Sequence, residues 1–165
     1  MHTTKTLPND PLTTSLRLAR INEARRQWKR QTLDQLQPNH TVDPFSVPTV
    51  FVVDDDPEMR ESLELLLLAE TFPVETYESA DAFWDVFHPD RQGCLILDLR
   101  MPGMDGLDLL ERISEHQHEL SIIVVSGSAD HGEKVRAREL GAVDFLSKPY
   151  DTKKLLEMIR KQLSQ

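Results

Sequence analysis

Carboxylates, one hydroxyl and one ammonium recur at the ends of short apolar runs in this sequence. Asp54, Asp55 and Asp56 follow the run 49–53, and Asp98 closes the run 94–97. Ser126, with Gly127 next, closes 121–125, and Lys148, with Pro149 next, closes 143–146. Carboxylates brought close together repel and raise one another's pKa. A hard divalent cation relieves that repulsion, and two or three carboxylates plus waters suit Mg²⁺. One carboxylate can then attack phosphorus and become an aspartyl phosphate. The phosphoryl oxygens need cationic and hydrogen-bonding partners. Lys148, Ser126 and the backbone N–H groups after Asp98 are of the right types, and Gly127 leaves the approach open.

These groups converge only if the apolar runs are parallel strands. From Pro48 onward the pattern alternates strand and helix. Strands are expected at 49–53, 74–77, 94–97, 121–125 and 143–146. Helices are expected at 57–69, 80–87, 107–113, 133–140 and 152–163. Apolar strands that each lead into a helix imply a buried parallel sheet covered on both faces, with right-handed connections. In such a sheet a ligand binds beyond the carboxyl ends of the strands, where all four groups lie.

Charge divides the chain. Of 165 residues, 28 are acidic and 19 basic, a net charge of −9. Residues 1–47 carry +3 and residues 48–165 carry −12. We therefore expect two parts, a basic extension over 1–47 and an α/β domain over 48–165. Within the extension, Asp10, Pro11 and Pro38 predict a helix over about 11–37, followed by a proline-rich linker at 37–48. Its basic residues between Arg17 and Arg30 read as a solvated face or a docking surface for protein, and Trp28 suggests a contact surface. The acidic body is a poor nucleic-acid binder, and no recognition motif accompanies the basic stretch. No apolar run reaches the ~20 residues of a membrane span, and the N-terminus has no apolar leader. One cysteine, Cys94, excludes an internal disulfide framework. The expected compartment is the cytoplasm.

The stretch 49–161 resembles the receiver domain of bacterial two-component response regulators, on the segments VVDDDPEMR at 52–60, LILDLRMPGMDGLDLL at 95–110, IIVVSGSAD at 122–130 and GAVDFLSKPYD at 141–151. DLRMPGMDG and GAVDFLSKP are most similar to FixJ-type receivers. The resemblance implies a doubly wound, five-stranded parallel sheet of flavodoxin-like order 2-1-3-4-5. It implies Asp98 as phosphoacceptor, with Asp54, Asp55, Asp98 and the backbone carbonyl of Arg100 holding Mg²⁺, Asp55 directly. Ser126 matches the switch hydroxyl, Phe145 the aromatic switch and Lys148 the phosphoryl-pairing lysine, with a cis bond to Pro149. Phe145 stands where many members have Tyr, so its inward state gains no hydrogen bond. Arg100 and Ser128 occupy positions that tune phosphoryl lifetime in the family.

The function so implied is a switch. A sensor histidine kinase or phosphotransfer protein phosphorylates Asp98, and the surface around the fourth helix, fifth strand and fifth helix changes to control a partner or a phosphorylation-dependent homodimer. Such a protein catalyses only its own phosphorylation and dephosphorylation. FixJ-type proteins usually carry a C-terminal DNA-binding domain, which is not expected in this chain.

Two rival readings fit the sequence less well. One is a phosphorylation-independent scaffold, which would not need all five of Asp54, Asp55, Asp98, Ser126 and Lys148. The other is an aspartyl-phosphate hydrolase resembling the haloacid dehalogenases, but Asp54–Asp55–Asp56–Pro57–Glu58 lacks that family's Thr/Val. Plain structural roles are expected elsewhere. Asp56 caps a helix, Asp105 and Asp108 cap and coat the third helix, and Cys94 and Trp84 pack inside. His116 and His118 are expected to be solvated.

Overall fold

The computed structural model describes residues 45 and 47–164, together with Ala19, Glu23 and Arg26. The chain divides into two units, Met1–Pro38 and Asn39–Gln165. In the first, Ala19, Glu23 and Arg26 are helical and exposed. The rest of the helix expected over 11–37, with Trp28, lies outside the described residues, as does the linker up to residue 44.

In the second unit the strands are β1 (Thr49–Val53), β2 (Val74–Tyr77), β3 (Gly93–Asp98), β4 (Leu120–Ser126) and β5 (Ala142–Ser147). The helices are α1 (Pro57–Ala69), α2 (Ala80–Trp84), α3 (Gly106–Ser114), α4 (His131–Glu139) and α5 (Thr152–Leu163). All strand pairs are parallel, in the order β2-β1-β3-β4-β5. The five-stranded doubly wound sheet expected from the sequence is therefore present.

Side chains alternate across the strands and build two cores. Phe51, Val53, Leu95, Leu97, Ile122 and Val124 face Phe83 of α2, Leu109, Leu110 and Ile113 of α3, and Ala137 of α4. Val50, Val52, Cys94, Ile96, Ile123 and Val125 face Leu63 and Leu67 of α1 and Leu155 and Ile159 of α5. Both faces of β1, β3 and β4 are thus dry, which leaves the strand ends as the place for polar chemistry.

Helix ends follow local chemistry. Asp56 caps α1, accepting from the N–H groups of Glu58 and Met59, and Pro57 opens the helix. α2 stops at Trp84 rather than at residue 87. Its chain tightens into i→i−3 bonds, Val86 N–H to Phe83 O and Phe87 N–H to Trp84 O, and Pro89 disfavours helix at His88, so the turn is not continued. α4 begins at His131, two residues earlier than the periodicity suggests. Asp130 and Glu133 form a capping box there, a signal of polar side chains that apolar spacing does not register.

Candidate functional site

The carboxyl end of the sheet gathers residues from four strands. Asp54 follows β1 and is 4% exposed; Asp98 ends β3 and is 7% exposed. Asp55 is exposed. One carboxylate oxygen from each of the three lies within 4.8 Å of the others.

Lys148, just past β5, spans the buried pair. Its Nζ donates to Asp54 Oδ2 at 2.7 Å and to Asp98 Oδ2 at 2.8 Å. Backbone pairing holds it there, since the Lys148 N–H donates to the Ser126 carbonyl at 2.9 Å. The Lys148–Pro149 bond is cis. Asp54 is further fixed by the Asp56 N–H on its Oδ1 at 2.9 Å, and Arg60 donates to its carbonyl at 2.7 Å. Asp98 Oδ1 accepts from the Arg100 N–H at 3.1 Å.

Electrostatics follow from burial and pairing. Burial is the largest influence on Asp54. It holds that pKa above the ordinary carboxylate value, against hydrogen bonds from Lys148 and the Asp56 N–H. Burial also acts to lower the pKa of Lys148, but hydrogen bonds and charges from Asp54 and Asp98 outweigh it and hold the ammonium above its usual value. Three carboxylates face one ammonium, so the cluster carries excess negative charge that a cation would offset. Its donors are all hard oxygens, and the exposure of Asp55 leaves one side open to water. That donor set fits Mg²⁺, which keeps several waters.

Ser126 closes β4 and is 1% exposed, and its Oγ has no hydrogen-bond partner among the described residues. Leaving a buried hydroxyl unpaired costs about 1–3 kcal/mol. Phe145 lies in β5, partly buried against the first core, with Lys134 Nζ 4.9 Å from its ring centre.

Asp56 is an N-cap, and Asp105 and Asp108 form the capping box of α3. Cys94 is buried and free, and Trp84 stacks on Phe87 at 5.2 Å. His118 departs from expectation. It is half-buried, its Nδ1 accepts from the Leu120 N–H, and burial lowers its pKa. Its solvated reading fails because the turn before β4 folds the ring back onto the strand. His116 is exposed, and its ring meets Trp84 in an edge arrangement with centroids 5.7 Å apart. Sequence reasoning missed the ion pair between Arg100 and Glu133, Nη2 to Oε1 at 2.7 Å. Arg100 lies in the loop after β3 and Glu133 in the first turn of α4, and no short-range spacing links them.

Residues 50–160 match the family model of the response regulator receiver domain. The chain is 40% identical over 116 residues to the transcriptional regulatory protein FixJ of Bradyrhizobium diazoefficiens, covering 70% of this chain and 57% of that protein. It is 39% identical over 124 residues to the response regulator protein TodT of Pseudomonas putida, covering 75% and 54%. The crystal structure of FixJ-N superposes with a TM-score of 0.65 at 37% identity, over 72% of this chain and 94% of that one. This chain spans just over half the length of the curated relatives it matches. Among the described residues no helix is long and apolar enough to cross a membrane.

Proposed function

The chain belongs to the response regulator receiver family, whose members are phosphorylation-activated switches, and from that premise we propose that Asp98 is the residue phosphorylated here. The observation that carries this reading is the bridging of Asp98 and Asp54 by Lys148 at the carboxyl end of the sheet. A structural ion pair needs one carboxylate per lysine. Two buried carboxylates on one ammonium, with a third alongside, form a site with a deficit of positive charge.

The donor is a phosphohistidine on a sensor kinase or phosphotransfer protein. An oxygen of the Asp98 carboxylate forms the new bond to phosphorus. The P–N bond of the donor breaks, and its electron pair stays on the imidazole nitrogen. Lys148 balances the charge on the transferred oxygens, and the Ser126 hydroxyl donates to one of them. Asp54, Asp55, Asp98 and the carbonyl of Arg100 would hold Mg²⁺, which supplies the charge neutralisation that lets two anions meet. An apolar groove lined by Met59, Leu63, Leu66, Pro149 and Tyr150 opens beside Lys148 and suits an apolar helix face of the donor.

Once phosphorylated, Ser126 and Phe145 rearrange and change the surface of α4, β5 and α5. That surface selects a protein partner or a second copy of the chain. On this reading the domain's own chemistry is its phosphorylation and dephosphorylation, and its setting is the cytoplasm.

The test is intact mass after incubation with acetyl phosphate, with and without Mg²⁺, on wild type and Asp98→Asn. A Mg²⁺-dependent gain of one phosphoryl group, absent in the variant, is expected. An equal gain in Asp98→Asn would remove the assignment.

A further inference from the structure

The loop after β3 and the first turn of α4 are joined through Arg100 and Glu133, and each residue has a second attachment. The backbone N–H of Arg100 donates to Asp98 Oδ1 at 3.1 Å, while its guanidinium meets Glu133 Oε1 at 2.7 Å. The other oxygen of Glu133, Oε2, accepts from the Asp130 N–H at 2.9 Å, and Asp130 Oδ1 accepts from the Glu133 N–H at 2.8 Å. One carboxylate therefore serves both as the helix cap and as the counter-charge of Arg100. Asp98, Arg100, Glu133 and Asp130 form a continuous polar chain from the strand end to the start of α4.

α4 is lightly anchored otherwise. Of its nine residues only Ala137 is buried. Its further ties include Arg136 to Glu111 at 2.9 Å and Lys134 over the Phe145 ring. An element with little apolar burial opens easily and responds to a change in its polar ties.

We infer that the Arg100–Glu133 pair is a charge-exchange tether: a phosphoryl group on Asp98 draws the guanidinium away from Glu133 and releases the first turn of α4 from the β3–α3 loop. The inference rests on Asp98 as the phosphorylated residue. Turning that carboxylate into an acyl phosphate adds about one negative charge and three strong acceptor oxygens two residues from Arg100. Guanidinium pairs with such oxygens in a fork, which favours them over a single carboxylate oxygen. The Arg100 end of the pair can leave readily, because its side chain is 59% exposed and water weakens the attraction there; the Glu133 side chain is 19% exposed and stays held by the cap. The exchange runs both ways. Glu133 competes with the phosphoryl group for Arg100, so it opposes the active state while Arg100 supports it.

That opposition gives the two residues effects of opposite sign. Beryllofluoride with Mg²⁺ is the probe, titrated by calorimetry into wild type, Glu133→Gln, Arg100→Ala and the double variant. Gln at this position still caps the helix and lacks only the charge. Glu133→Gln is expected to tighten beryllofluoride binding about two- to fivefold, the span of a weak surface ion pair. Arg100→Ala is expected to weaken it, and Glu133→Gln is expected to have no effect once Arg100 is gone. Amide exchange over residues 131–134, read without metal or beryllofluoride, should be faster in Arg100→Ala than in wild type. Unchanged or weaker binding by Glu133→Gln, or equal tightening in both backgrounds, overturns the tether. Failure of the wild type to bind beryllofluoride would instead overturn the assignment of Asp98, and the tether with it.

Discussion

Gly106 lies against the backbone of Asp98 so closely that a Cβ on it would stand 2.3 Å from the Asp98 carbonyl oxygen. Gly106 is the first residue of α3, and its N–H donates to the Leu99 carbonyl at 3.0 Å. The helix start is thus pressed onto the strand end that presents the Asp98 carboxylate. Gly106→Ala must push the two apart. It is expected to destabilise the domain by about 1–3 kcal/mol, the usual range for forced overpacking. Urea midpoints measure that, and the rate of labelling by acetyl phosphate should fall as well.

The acidic cluster makes a prediction about metal. Asp55 is the exposed member, so Asp55→Asn removes charge repulsion without opening a cavity. Its melting temperature without metal is expected to equal or exceed that of wild type. Wild type should gain about 1.4 kcal/mol at Mg²⁺ ten times its Kd. Asp55→Asn should lose most of that gain. Thermal melts with Mg²⁺ and with a chelator give both numbers.

The groove beside Lys148 separates two kinds of donor. Leu66 is partly buried at its wall, and Leu66→Glu would place a charge where an apolar helix face must pack. Transfer from a phosphorylated kinase should slow at least about tenfold, corresponding to about 1.4 kcal/mol of lost docking. Labelling by acetyl phosphate needs no groove and should change less than twofold. Equal slowing with both donors would remove the groove from the docking surface.

Cys94 gives a pH dependence of known sign. Burial pushes its thiol up to about 12. An unfolded thiol titrates near ~8.5. Below that pH both states keep the proton, and stability does not depend on it. Between that pH and about 12 only the unfolded chain loses the proton, so stability falls as pH rises, by up to about 1.4 kcal/mol per pH unit. Cys94→Ala should show a flatter profile of urea midpoint from neutral pH to pH 10. Native wild type should also resist iodoacetamide until it unfolds.

How far the sequence speaks depends on the range of the interaction. Asp56–Pro57–Glu58 places the start of α1 correctly because cap, proline and acidic first turn act within three residues. The site residues are legible as types at strand ends, since the sheet forces those ends together. Their division of labour is not. Asp54, Asp55 and Asp56 are three identical letters, yet one is buried on Lys148, one is exposed and one caps a helix. Only the twist of the chain leaving β1 separates them. The Arg100–Glu133 pair and the unpartnered Ser126 hydroxyl depend on contacts between distant segments, which no local pattern encodes.

β5 is an outermost strand, and its register against β4 shifts between Ile122 and Ile123, with Val143 passed over in the pairing. Just beyond the shift, the Asp144 carboxylate accepts the Phe145 N–H at 2.8 Å. An outer strand that is irregular, and carries an amide already engaged by its own neighbour, is a poor template for another strand. The β5 edge is therefore guarded against pairing with a further strand. Contact along β5 is thereby steered toward side chains, which can be rearranged, and away from backbone ladders, which would be hard to undo.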